Sequence, residues 1–168
     1  MKTFDTLEKF ARHMQKVVKT YHYYEAKAAH FIGESLVKEA KDSIGHLQHG
    51  AGPFQAWPEL AESTKADKER QGYVFNHEYN PLLRTGEMRD SIHYDFNPGN
   101  AFSKLRLGSD SQIMVYQELG TPYIPPRSVL GLTMIKATPM IHYALGSMVD
   151  SWIEGKGYRP RSVTYGSI

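Results

Sequence analysis

Ser91-Ile92-His93-Tyr94-Asp95-Phe96-Asn97-Pro98-Gly99-Asn100-Ala101-Phe102-Ser103-Lys104-Leu105-Arg106-Leu107 is the stretch that decides the fold. Ile92, Tyr94 and Phe96 alternate with polar residues, and so do Leu105 and Leu107. A period of two places such side chains on one face of a strand. Between the two runs, Asn97-Pro98-Gly99-Asn100 puts proline and glycine at the two central positions of a type II turn. The stretch therefore predicts a β-hairpin, and with it an antiparallel sheet.

Toward the N-terminus, Thr85-Gly86 offers a cap before Glu87 to Ser91, and Asn80-Pro81 reads as an earlier helix start because proline suits the first helical position. Two short helical turns are expected there. Gly72 to Asn80 carries Tyr73, Phe75 and Tyr79 without a period and reads as irregular, whereas Glu59 to Gln71 is charged and permits a helix. Gly45 to Pro58 is rich in glycine, proline and small polar residues and predicts a surface loop ending at Trp57-Pro58. From Phe4 to Ile44 the residues Phe4, Leu7, Ala11, Met14, Val18, Tyr21, Ala28, Ile32, Leu36 and Ala40 recur at threes and fours. That spacing draws one stripe along a long helix, or along two in line with a break at Ile32-Gly33-Glu34, where glycine costs about 1 kcal/mol relative to alanine. Unbroken, the helix spans roughly 60 Å, more than a domain of this size covers, and part of it then packs on another subunit; broken, it is a hairpin buried within the chain.

Toward the C-terminus, Ser109-Asp110-Ser111 caps a short helix through Leu119 that Gly120 stops, and the three prolines between Thr121 and Arg127 predict an extended, stiff arm. Val129 to Ile135 reads equally as strand or helix. Thr138-Pro139 reads as cap plus first position of a closing helix with the stripe Ala137, Ile141, Ala144, Leu145, Met148 and Trp152, ending at Gly155. The organisation that results is a single α+β domain over residues 1–155, in which 1–45 is helical, 46–80 loop and short helix, and 81–155 hairpin, arm and closing helix. Residues 156–168, with Lys156, Arg159 and Arg161 and no acid, read as a flexible basic tail.

Composition sets limits on function. The chain has 168 residues, 40% of them hydrophobic, enough for one real core. Without cysteine it has no disulfide, thiolate metal site or cysteine nucleophile. Twenty basic against eighteen acidic residues are too balanced for the broad footprint of a dedicated DNA-binding domain. The pattern predicts neither a membrane span nor a secretory signal, and a protein made in the cytoplasm.

Two segments carry a resemblance. They are Leu82-Leu83-Arg84-Thr85-Gly86-Glu87-Met88-Arg89-Asp90-Ser91-Ile92, and Tyr116-Gln117-Glu118-Leu119-Gly120-Thr121 followed by Ile124-Pro125-Pro126-Arg127-Ser128-Val129-Leu130-Gly131. Together they resemble the phage virion-morphogenesis and tail-completion family of head-tail connector and tail terminator-like proteins. There a leucine-x-threonine-glycine-x-leucine-x-x-serine turn precedes a hairpin, and glutamate-x-glycine-threonine leads to isoleucine-proline-x-arginine-proline-phenylalanine-leucine-glycine. Trp57, Leu60, Thr64 and Lys68 are similar to a tryptophan-leucine-threonine-lysine run upstream in one branch of the family, so that the likeness covers residues 55 to 150. Met88 stands where leucine is usual, and Ser128-Val129 replace proline-phenylalanine. The resemblance implies an α+β subunit, with sheet packed on helices, that forms a ring, hexameric in the family, at the head-proximal end of the tail. It implies a virion location, partners that are copies of itself and other phage neck or tail proteins, DNA in the tail lumen as a further contact, and no enzymatic activity or cofactor.

The residues singled out for an interface are Arg84, Thr85, Gly86, Arg89, Glu118, Gly120, Thr121, Pro125, Pro126 and Arg127. Arginines beside caps and prolines suit bidentate bonds to Glu87, Asp90 or Glu118 of the next subunit; the alternative is three solvated arginines. Lys156, Arg159 and Arg161 are the weaker candidates for nucleic acid, acting as phosphate-binding cations with Tyr158 and Tyr165 between them. His46 and His49, with His77 and Glu78, have a poor metal spacing in a glycine-rich loop and read as solvated. Ser91, His93 and Asp95 share one strand face about 7 Å apart, a polar row and not a catalytic triad.

Overall fold

The computed structural model describes residues 3–75, 79–99 and 102–161. Its elements run α1 (Leu7–Ser43), α2 (Glu62–Gln71), α3 (Glu87–Asp90), β1 (Ile92–Asn97), β2 (Lys104–Ser109), α4 (Gln112–Leu119) and α5 (Leu130–Glu154). The class is α+β: a long N-terminal helix, a two-stranded antiparallel sheet and a long C-terminal helix. The chain divides into two compact units. One gathers Met1–Glu34, Phe96–Leu105 and Thr138–Ile168; the other gathers Ser35–Asp95 and Arg106–Ala137.

The second unit holds the larger core. Ala40 and Ile44 of α1, Trp57, Met88 of α3, Ile92 of β1, Met114 of α4 and Val129 are all buried together, with Val37, Leu82, Leu83, Leu107 and Leu130 packed against them. The hairpin contributes through the alternation that predicted it: Ile92 is buried while Asp95 and Asn97 are exposed, and Leu105 and Leu107 are covered while Lys104 and Arg106 are not. Trp57 belongs to this core. Its indole Nε1 donates to the Ser128 carbonyl at 3.0 Å, so the loop it was expected to end is anchored inside.

In the first unit Tyr24, Ala28, Met148 and Tyr158 form a second cluster against which Trp152 packs. Every polar handle of its aromatics is used, as buried Tyr and Trp require. Tyr24 donates to the Lys156 carbonyl at 2.6 Å, Trp152 Nε1 to that of Val17 at 2.6 Å and Tyr158 to that of Ala144 at 3.0 Å. Tyr158, only 2% exposed, therefore pins a segment that its composition described as a free tail. Tyr165 lies outside the described residues.

Several local expectations are corrected. For α1 the unbroken alternative is the one found: the helix runs through Gly33, because Ala28, Ala29, Ile32, Leu36 and Ala40 are buried on either side and packing outweighs one glycine. α5 begins at Leu130, so Val129 to Ile135 is helical beyond its first residue and Pro139 lies inside the helix, on an exposed position where solvent reaches the freed carbonyl. Gly33 and Thr138-Pro139 instead coincide with the places where the chain passes from one unit to the other. Asn80-Pro81 starts no helix: Asn80 at φ 32° and Leu82 at φ 65° form a turn. The hairpin connection runs from Pro98 to Ser103, and Gly99 is not left-handed, so no type II turn is made; its amide donates to Ser103 Oγ at 3.2 Å, and a Cβ would strike the Phe102 backbone. Asn100 lies outside the described residues.

Tyr158→Phe removes one buried hydroxyl and leaves the Ala144 carbonyl without it. The expected loss is about 1 kcal/mol, read as a lower midpoint in urea with an unchanged slope.

Candidate functional site

The three segments that carry the resemblance meet at one cleft of about 620 Å³ in the second unit. Leu60, Thr64 and Lys68 come from α2 and the chain before it. Leu82 to Met88 supply a second wall, and Gln117 with Tyr123 to Pro125 and Arg127 supply the third. Segments distant in sequence are brought together here by two kinds of interaction, a carboxylate cap and buried cations.

The cap is Glu118. Its Oε1 accepts from Ser128 Oγ at 2.6 Å and from the Gly131 amide at 2.8 Å, while Oε2 accepts from the Val129 and Leu130 amides at 2.7 and 3.1 Å. These are the donors that the start of an α-helix leaves unpaired, and a negative charge also suits the positive end of the helix dipole. The bend between Glu118 and α5 is closed tightly. Thr121 and Ile124 pair in both directions at 2.9 and 3.2 Å, and Thr121 Oγ1 accepts from the Ile124 amide at 3.1 Å. Gly120 sits at φ 75°, and a Cβ there would lie 3.0 Å from Pro126 Cδ and 3.1 Å from the Ile124 carbonyl, so only glycine fits. The expected extended arm is thus a turn followed by Pro125 and Pro126, both exposed.

The cations are Arg127 and Lys68, 6% and 2% exposed. Arg127 donates Nε and Nη2 to the Pro58 carbonyl at 3.3 and 2.9 Å, and Nη2 again to that of Glu59 at 3.1 Å. Lys68 Nζ donates to the carbonyls of Asn80, at 3.1 Å, and Leu83. Two loops are therefore clasped by charges that meet carbonyl dipoles and, among the described residues, no carboxylate. Desolvation holds both below their ordinary values, and for Lys68 the Arg84 guanidinium adds repulsion. Gln117 Oε1, buried in the same cleft, has no partner among the described residues.

The candidate interface residues are therefore sorted by the fold. Glu118, Gly120, Thr121 and Arg127 are engaged within the chain, and Gly86, at φ 90°, is the buried start of α3. Arg127 and Glu118 do not offer their charges outward. Arg84 reaches Asp67 at 3.0 Å, Arg89 reaches Asp90 at 3.3 Å, and Arg84, Thr85, Pro125 and Pro126 remain exposed on the rim. Lys68, Gln117 and Tyr123 were not singled out as site residues; α2 reads as a solvated helix, and nothing local marks one of its lysines as buried. Lys156, Arg159 and Arg161 are exposed in the first unit.

Two other constellations can be located. His93 reaches Asp95 at 3.8 Å and Asp110 at 3.7 Å, closer than the strand repeat suggests because side-chain tips lean together, but Nδ1 faces the Ser91 carbonyl at 3.0 Å. The Ser91 hydroxyl bonds to Met88 O and Ser109 Oγ instead, leaving no serine-histidine pair. His46 and His49 are exposed, His77 and Glu78 lie outside the described residues, and among the described residues there is no group of three metal-ligating side chains. Among them, too, no helix is long and apolar enough to cross a membrane.

Glu118→Ala leaves three α5 amides and the Ser128 hydroxyl without their acceptor and is expected to cost roughly 2–4 kcal/mol by denaturant unfolding, with Glu118→Gln losing less because one oxygen stays. Lys68 gives a pH test. With its folded value below 10.5, the unfolded chain holds the proton more tightly, so stability relative to a Lys68→Met variant rises as pH climbs through the lowered value toward 10.5. Unfolding free energies of both proteins across that range check it. No family model, curated protein or solved structure matches the chain.

Proposed function

We propose that the chain is a structural subunit of a phage particle, a tail-completion or head-tail connector protein that joins tail to head by assembling with copies of itself and with neck or tail proteins. The observation that carries the reading is the convergence of its three motif segments on one cleft. A resemblance spread over residues 55 to 150 would mean little if its parts lay apart; here they build a single surface.

The chemistry of that surface supports docking. Lys68 and Arg127 hold positive charge at the cleft, answered among the described residues by carbonyl dipoles, and Gln117 Oε1 has no donor among them. In its lining, Ile113 is 57% exposed and Tyr123 95%. Exposed apolar groups gathered at one cleft suit burial against a neighbouring subunit. A segment bringing one carboxylate between apolar residues would satisfy both features.

Ile113→Asp with Tyr123→Asp alters the rim without touching the clasps. The expected result is an unchanged far-UV spectrum and, in electron micrographs of chain mixed with tail tubes, rings with the wild-type chain and none with the variant. A phage lacking the protein accumulates filled heads and separate tails; normal particles in its absence would overturn the reading.

A further inference from the structure

Between Lys9 and Gly33 the chain carries Lys9, Arg12, Lys16, Lys19 and Lys27 against the single acid Glu25. At 3.6 residues per turn those five cations fall within an arc of about 80° and extend roughly 27 Å along α1. All five are exposed, and Tyr23, 57% exposed, stands among them. Glu25 lies on another side of the helix, half-buried, where it accepts from Tyr21 and faces His22. Lys9 pairs with Asp5 at 2.6 Å and Arg12 with Glu8 at 3.2 Å, Lys27 lies 4.8 Å from the Tyr23 ring centre, and Lys16 and Lys19 make no ion pair among the described residues.

The stripe is part of a wider imbalance. The first unit contains ten basic and six acidic residues, the second ten and twelve, so the near-neutral total of twenty against eighteen conceals a basic unit and an acidic one. Within the first unit, the bond from Tyr24 to the Lys156 carbonyl draws the segment bearing Lys156, Arg159 and Arg161 alongside α1.

From this placement we infer that the exposed face of α1 is a surface for the phosphate backbone of a nucleic acid, engaged without sequence preference. A straight row of one sign matches a polymer carrying one charge per roughly 1.7 Å of duplex, and lysines, as point charges, accept any phosphate register. Tyr23 supplies a ring on which a base can stack. A lipid surface fits less well. Helices that lie on membranes press an apolar face into the lipid; α1 exposes Leu7, Phe10, Met14 and Val18 away from the cations, but only over about its first three turns, and beyond them Tyr24 and Ala28 are already buried within the unit while the cations continue to Lys27.

The test is fluorescence anisotropy of the full chain with a short labelled DNA duplex of random sequence. Binding is expected to weaken roughly 10²–10³-fold between about 50 and 200 mM salt, a log-log slope near −4. The Lys16→Ala, Lys19→Ala, Lys27→Ala triple variant is expected to flatten that slope by about one for each lysine, while Arg106→Ala, an exposed cation of the other unit, leaves it unchanged. No binding at low salt, an equal loss in both variants, or tighter binding to phosphatidylserine vesicles than to DNA would overturn the inference. Because the cleft variants and these variants share no residue, ring assembly and DNA binding fail separately.

Discussion

The interaction on which the second unit depends is the reach of one carboxylate, Glu118, across the turn that follows α4 to the first amides of α5. A 25-residue helix has to start somewhere, and its sequence contains a locally better start at Thr138-Pro139. Glu118 moves that start eight residues earlier by satisfying three orphan donors at once. The consequence is felt in the core, because Val129 and Leu130 become the first turn of a helix packed on Ala40, Ile44, Met88 and Met114. Ser128 contributes from the helix side, its hydroxyl donating to Glu118 while its carbonyl accepts from Trp57. A proline in place of Ser128 would remove that hydroxyl and with it one of the four bonds to Glu118.

The same unit shows how little regular structure is needed when charges act on backbone. Between α2 and α3 the described residues form no strand or helix, yet Lys68 gathers the carbonyls of Asn80 and Leu83, and Gly45 donates to that of Pro81 at 2.8 Å. Arg127 does likewise for Pro58 and Glu59. Each buried cation would be costly in an apolar site; each is tolerable because several carbonyl dipoles converge on it. The arrangement leaves net positive charge beside a cleft, and that separates a structural clasp from a salt bridge, which would have cancelled it.

How much of this was legible in the sequence follows from the range of the interactions. The hairpin was, because Ile92, Tyr94 and Phe96 alternate within six residues. α1 was, because its stripe repeats over ten turns. A break at Gly33 stayed open, and Pro139 read as a first helical position, because their cost is local and the packing that overrides it is not. Asn80-Pro81 failed for the opposite reason: proline favours a first helical turn, but Lys68, twelve residues earlier, holds the Asn80 carbonyl in a turn. At the candidate site, glycine and proline marked the right segments. They did not reveal that Glu118, Gly120, Thr121 and Arg127 serve the fold internally, since a residue that shapes a surface and one that forms it look alike in a single sequence.

That distinction bears on what the chain presents to others. Once the capping and clasping residues are set aside, the surface left around the cleft is Arg84, Thr85, Ile113, Tyr123, Pro125 and Pro126, a mixture of apolar and neutralised groups. The cationic face of α1 in the first unit is different in kind: five cations, three of them without an ion pair among the described residues. Apolar rims lose area to a partner and gain little from salt, whereas cationic rows gain from polyanions and are screened within a Debye length of about 10 Å at ordinary salt. Two surfaces governed by such different forces do not compete for one ligand. A chain near neutrality in total thus carries two surfaces of different chemistry, an apolar rim in one unit and a cationic row in the other.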